Sequence, residues 1–193
     1  MPSIIFVSRQ RSNHLCFCYN ACMKRLLTLT DETVFENAVS LWHDGWIKRD
    51  AARAVVFSQR DEVYLLKMST YSYHKLPGGG VDQGESFEEA LYRELLEEIG
   101  CPAKIEHELG EIVEYRNDEQ LEQHSFCYTA KQTGPLGMTA LEQGEIEEGA
   151  ETIVAKNIDE AIRLLQNDKP TNYEGHFIRQ RDLRFLLEAK SKK

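Results

Sequence analysis

Gly78-Gly79-Gly80-Val81-Asp82-Gln83-Gly84-Glu85-Ser86-Phe87-Glu88-Glu89-Ala90-Leu91-Tyr92-Arg93-Glu94-Leu95-Leu96-Glu97-Glu98-Ile99-Gly100-Cys101 sets a glycine-rich turn directly against an acidic helix. The helix announces its own ends. Ser86 is a favourable N-cap, Glu89 completes a capping box, and Gly100 followed by Pro102 stops the run, so these signals predict a helix over 87–99. Phe87, Leu91, Leu95 and Ile99 recur every fourth residue with Ala90 beside them, one apolar stripe facing a core. The carboxylates take the opposite face.

Glu94, Glu97 and Glu98 stand at i, i+3 and i+4, where their side chains crowd one patch of helix surface. Like charges at those spacings cost roughly 0.2–0.5 kcal/mol per pair, a penalty that a divalent cation reverses. Mg²⁺ suits the pattern because it takes one or two carboxylates and leaves its other positions to water and phosphate oxygens, and Mn²⁺ has the same taste for oxygen. A solvated acidic face is the ordinary alternative. The glycines weigh against it, since Gly78, Gly79 and Gly80 tolerate positive φ and close backbone approach, which offers a main-chain carbonyl as a further hard ligand.

The spacing Gly79-x5-Glu85-x7-Arg93-Glu94-Leu95-x-Glu97-Glu98-x-Gly100 resembles the signature box of the Nudix hydrolases, of which the MutT-like nucleotide pyrophosphohydrolases are one branch. Only the last position of the box (79–101) departs, with Cys101 where a bulky aliphatic is usual; a small thiol is still apolar, so packing is affected more than chemistry. The resemblance implies an α/β (α+β) chain folded as an α/β/α sandwich around a mixed sheet, with the box as a metal-binding loop–helix–loop. It implies hydrolysis of a nucleoside diphosphate linked to another group. Carried over by position, it makes Glu94, Glu97 and Glu98 metal ligands, adds a Gly78 or Gly79 carbonyl, and pairs Glu85 with Arg93 in support.

The 193 residues suit one domain that buries around 70% of its extended-chain surface. A net charge of −9 and a pI near 5.2 argue against gripping a nucleic-acid duplex through a basic face. They leave room for a small anion arriving with its metal. No apolar run reaches eighteen residues, so no membrane span is expected and a cytoplasmic place is the default reading. Five cysteines, at 16, 18, 22, 101 and 127, form no disulfide framework, and His14, Cys16, Cys18 and Cys22 lack the paired spacing of a zinc site. Residues 1–22 are acid-free and aperiodic, which makes them an extension outside the working fold, with Met23 the expected start. The expected domain is 23–189, with 190–193 a frayed tail. Oligomeric state is left open, a homodimer included.

In order, residues 30–46 fit either a helical face (Val34, Ala38, Leu41, Trp42) or an irregular strand over 33–41. Residues 54–57 and 63–66 read as a hairpin across 58–62, and 105–115, 125–130 and 152–155 as further strands. Residues 136–149 read as a polar, Glu-rich connection. Helices are predicted at 158–167 and 174–189, the second burying Phe177, Ile178, Leu183, Leu186 and Leu187. Tyr71, Tyr73, His74 and Lys75 precede Leu76-Pro77-Gly78, so Tyr73, His74 and Lys75 become substrate-binding candidates on the lip of the glycine loop.

The implied reaction is attack of water on a phosphorus of a pyrophosphate, with Glu98 or Glu94 the first choice of base. Glu142, Glu145, Glu147, Glu148 and Glu151 supply a reserve, Glu147 and Glu148 foremost. Substrate class follows by elimination: no proline lies between Pro102 and Pro135, where ADP-ribose hydrolases of the family carry one, and the motif of the NADH-cleaving group is missing. That leaves the short pyrophosphatases that convert nucleoside triphosphates, oxidised ones included, to monophosphate and pyrophosphate. The rival reading is a Nudix-fold nucleotide sensor that binds without cleaving. Such proteins are expected to lose box glutamates, and this chain keeps them.

Overall fold

Residues Ala51 to Phe57 form a run buried on both sides, as a strand must be when helices cover both faces of its sheet. In the computed structural model, which describes residues 23–41 and 45–193, this run belongs to strand β2 (Ile47–Phe57). The other strands are β1 (Arg25–Thr30), β3 (Val63–Met68), β4 (Tyr73–Lys75), β5 (Gly78–Gly80), β6 (Ala103–Arg116), β7 (Leu121–Gln132) and β8 (Ala150–Ala155). The helices are α1 (Asp31–Val34), α2 (Phe87–Ile99), α3 (Gln143–Glu147), α4 (Ile158–Asn167) and α5 (Tyr173–Ser191). The zinc and chain-start expectations for residues 1–22 lie outside the described residues, as does Trp42.

The sheet is mixed, in the order β1-β6-β7-β2-β3-β4. β2 runs parallel to β7 along one edge, while its other edge is shared between β5 at Ala51–Arg53 and β3 at Val56–Phe57. β2 and β3 therefore part company, and the glycine strand β5 fills the opening. Side chains alternate across β2: Val55 and Phe57 join the core under α4 and α5, whereas Ala52, Ala54 and Val56 join Leu91, Leu95 and Ile99 of α2. Helices on both faces make an α/β/α sandwich.

α2 occupies the predicted span. The Ser86 hydroxyl accepts from the Glu89 amide at 3.2 Å, the Glu89 carboxylate accepts from the Ser86 amide at 2.9 Å, and Gly100 closes the helix at φ 59°. Cys101 is buried in the α2 layer, and burial pushes its thiol up to about 11. Elsewhere the structure corrects the sequence. Residues 31–34 form one short helical turn followed by irregular chain, neither the long helix nor the strand. The 136–149 connection contains α3. β7 begins at Leu121, four residues early, because its polar N-terminal half is paired on both sides by β2 and β6. Leu187 is exposed at 41%, and α5 continues two residues into the expected tail, to Ser191, beyond which the Lys192 ammonium donates to the Glu108 and Leu109 carbonyls at 3.1 and 3.2 Å.

Candidate active site

β5 brings its backbone hard against two neighbours. A side chain at Gly78, whose φ is 128°, would overlap the Ala52 carbonyl, and one at Gly79 would overlap the Glu94 carboxylate. Glycine therefore lets α2 lay a carboxylate directly on the strand.

Arg93 ties the box together. Its Nε and Nη2 donate to the two Glu85 oxygens at 3.0 Å each, Nη2 also donates to the Gly80 carbonyl at 3.0 Å, and Nη1 donates to Glu94 at 2.7 Å and Glu97 at 3.2 Å. Such a two-pronged guanidinium–carboxylate contact fixes orientation as well as charge. The hydrogen bond from Arg93 holds Glu85 below the usual carboxylate range, and Glu85 in turn raises Arg93. Glu94 is shifted the other way, because burial outweighs Arg93 and raises it.

Glu98 is the buried member of the set, 1% exposed. One oxygen accepts from the Gly78 amide at 2.5 Å and the other meets the Lys75 ammonium at 2.9 Å. Burial outweighs the ammonium and pushes Glu98 up to about 8, with a hydrogen bond to Glu145 adding to the rise. Burial also pulls Lys75 down, yet Glu98 and Glu145 hold it above its ordinary value. Glu145 reaches Lys75 at 3.0 Å from α3, so the Glu-rich connection folds back over the box.

Lys75, Arg93, Glu94, Glu97, Glu98 and Glu145 line one cavity of about 470 Å³ together with Gly78–Gly80, whereas Glu85 supports Arg93 from outside it. A second cavity, of about 540 Å³, lies at the Phe57 end of β2 and holds none of these carboxylates. A model of the NUDIX domain family matches residues 47–173, well over half of the chain and all of the box. The chain belongs to the NUDIX family.

Among relatives of this NUDIX chain, a protein of Bacillus subtilis (strain 168), provisionally named an 8-oxo-dGTP diphosphatase, is 41% identical over 75 residues, which is 39% of this chain and 49% of that protein. An RNA pyrophosphohydrolase of Wolbachia pipientis subsp. Culex pipiens (strain wPip) is 31% identical over 88 residues, 45% of this chain and 53% of that protein. The chain thus spans about half the length of the curated relatives it matches. The solved NUDIX hydrolase from Nitrosomonas europaea shares the fold, with a TM-score of 0.58 at 18% identity over 76% of this chain and 91% of that one.

The remaining candidates divide. Lys75 enters the NUDIX cavity, and Tyr73 lines it while staying 1% exposed, packed in the α2 layer. His74 does not line it: its ring and its amide both bond Asp168, at 2.7 Å each, which ties β4 to the end of α4. In the reserve set Glu142, Glu145 and Glu148 line the cavity, while Glu147 points elsewhere and accepts from Gln143 at 2.8 Å. The helical turn of α3 decides this split, and a polar stretch without apolar periodicity gives no warning of it. Sequence reading passed over Arg49, Arg53 and Glu174, which also line the cavity. For Arg53 there was a signal, a single charge inside the strand run Ala51-Ala52-Arg53-Ala54-Val55-Val56.

Proposed function

We propose that this chain is a divalent-metal-dependent pyrophosphohydrolase that cleaves the phosphoanhydride of a nucleoside diphosphate linked to another group, with nucleoside triphosphates, oxidised ones included, as the leading class. The observation that carries the reading is the meeting of Glu94, Glu97 and Glu98 with the bare backbone of Gly78–Gly80 in one cavity of a NUDIX chain. Among the described residues no three metal-ligating side chains converge as placed, because Arg93 holds Glu94 and Glu97, and Lys75 holds Glu98. The donor set still fits Mg²⁺ or Mn²⁺: all are hard oxygens, Glu94 lies on Gly79, and the buried Glu98 carboxyl retains a proton that a cation would displace. Glu94, Glu97, Glu98 and a Gly78 or Gly79 carbonyl would hold the ion. When bound it would neutralise charge on the phosphoryl oxygens.

The chain's own groups do the rest. Arg93 and Glu85 fix where the glycine strand stands relative to α2. Glu98 or Glu94, both held by α2 against the glycine strand, takes a proton from the attacking water. Lys75 bridges Glu98 to Glu145 and so couples α3 to α2. A screen of phosphate and pyrophosphate release from nucleoside triphosphates, dinucleotides and nucleotide sugars, with Mg²⁺ and with excess chelator, tests the reading. Cleavage of a triphosphate to monophosphate only when metal is present is the expected result. Tight nucleotide binding without cleavage of any of them would refute it in favour of a sensor.

A further inference from the structure

Arg53 is 6% exposed in the middle of the central strand β2, with Ala51, Ala52, Ala54 and Val55 around it at 0%. Burying a guanidinium is costly unless something bonds it. The other buried arginines obey that rule: Arg116, though its Nε also lacks an acceptor, is bonded through its two Nη atoms to Glu114, Glu119 and Glu174, and Arg181 is bonded to Asp182 and Glu114. Arg53 has no carboxylate bonded to it among the described residues, and its Nε is a buried donor with no acceptor. The acids that approach it are already committed. Asp182 is bonded to Arg181 and the Leu76 amide, and Glu98 to the Gly78 amide and Lys75. Burial, with Arg181 close by, pulls Arg53 below its ordinary value, the mark of a cation left uncompensated.

Its position sets the side of the strand from which it acts. Arg53 pairs with Gly78 across the sheet and shares the face of β2 that carries Val55 and Phe57, the α5 side, whereas Glu94, Glu97 and Glu98 come from α2 on the other side. Both sets line the same cavity. Arg49, at the far end of the pairing with β5, also lines it and lies beside Gly80. We propose that Arg53 is the anion anchor of this cavity, its planar fork taking two oxygens of a phosphate group of the phosphoanhydride substrate from the α5 side of the glycine strand. A guanidinium fits a phosphate through two parallel hydrogen bonds, and a buried one gives each bond more strength than a surface lysine would. The anchor rests on the pyrophosphohydrolase reading for its substrate, but not for its anion binding.

The test uses the full chain, its Arg53→Met and Arg53→Lys variants, and inorganic pyrophosphate as probe, at fixed ionic strength with and without Mg²⁺. The parent's melting temperature rises with pyrophosphate. Arg53→Met removes an unpaired buried charge, so it melts at or above the parent, yet loses most of the pyrophosphate-induced rise and shows a KM about tenfold higher or more on the best substrate. Arg53→Lys keeps the charge without the fork and falls between the two in both measurements. Should Arg53→Met not fold, the Arg53→Lys response decides: a reduced pyrophosphate shift supports the anchor and a parental shift overturns it. An Arg53→Met protein that melts well below the parent but keeps the full shift makes Arg53 structural and overturns the proposal. If the parent binds pyrophosphate through Arg53 and cleaves nothing, the hydrolase reading falls while the anchor stands; cleavage with an unchanged KM in Arg53→Met does the reverse.

Discussion

Replacing Arg93 by lysine keeps the charge and removes the fork. Arg93 makes five hydrogen bonds, two to Glu85 and one each to Gly80, Glu94 and Glu97. A lysine ammonium has three donors radiating from one nitrogen, so at least two of the five are lost and the two-pronged contact with Glu85 cannot be reproduced. Bonds to charged groups contribute roughly 1.5–3 kcal/mol each when shielded, but the Arg93 side chain is 29% exposed and Glu97 35%, which cuts the figure toward that of a surface pair. The net loss is about 1–2 kcal/mol, a drop in Tm of roughly 2–8 °C for a chain of this size. Function suffers more than stability. The same bonds set where the glycine strand lies relative to Glu94 and Glu97, and a misplacement of about 1 Å can cost on the order of a hundredfold in rate. Thermal melts, single-turnover cleavage and equilibrium nucleotide binding on parent and Arg93→Lys separate these effects. The expected pattern is a small Tm loss, nearly unchanged affinity and kcat down about a hundredfold. Parental kcat in Arg93→Lys would refute the positional role.

The metal-free chain should become less stable with rising pH through Glu98. Its carboxyl titrates near 8 when folded against an ordinary 4.5, so between those values the folded state holds an extra proton, and the stability it contributes is complete below 4.5 and lost as pH rises through 8. Because metal competes with that proton, the Mg²⁺-induced rise in Tm should grow from pH 6 to pH 8.5, and a rise independent of pH would contradict the assignment. Deleting residues 1–22 should leave both melting temperature and turnover within error of the full chain; a Tm well below it would make that segment structural.

The parts of this fold that sequence revealed are those whose causes are local. α2 carries its cap, its box partner and its terminating glycine within fifteen residues, and α4 runs over the predicted 158–167 because Asn157 caps it and its apolar residues repeat at helical spacing. The parts that stayed hidden depend on distant partners. β5 is three glycines with no strand propensity, a strand only because β2 lies beside it. His74 looked free for substrate until Asp168, 94 residues away, claimed it. The charges of Arg116 and Arg181 are buried because Glu114 sits between them, and nothing in the spacing of 114, 116 and 181 announces that. In the candidate site, the box glutamates, Glu85 and Arg93 were legible as a pattern, whereas the arrival of Glu145 at Lys75 required the fold of α3.

The most direct test of the account is single-turnover cleavage of the best nucleoside triphosphate in Mg²⁺ by the parent chain and by a variant carrying both Glu97→Gln and Glu98→Gln, with melts run alongside. The expected variant stays folded at the assay temperature and cleaves on the order of a hundredfold or more slowly, because it lacks two carboxylates that would hold the ion neutralising phosphoryl charge. Undiminished cleavage by that variant, or by the parent in excess chelator, would contradict it.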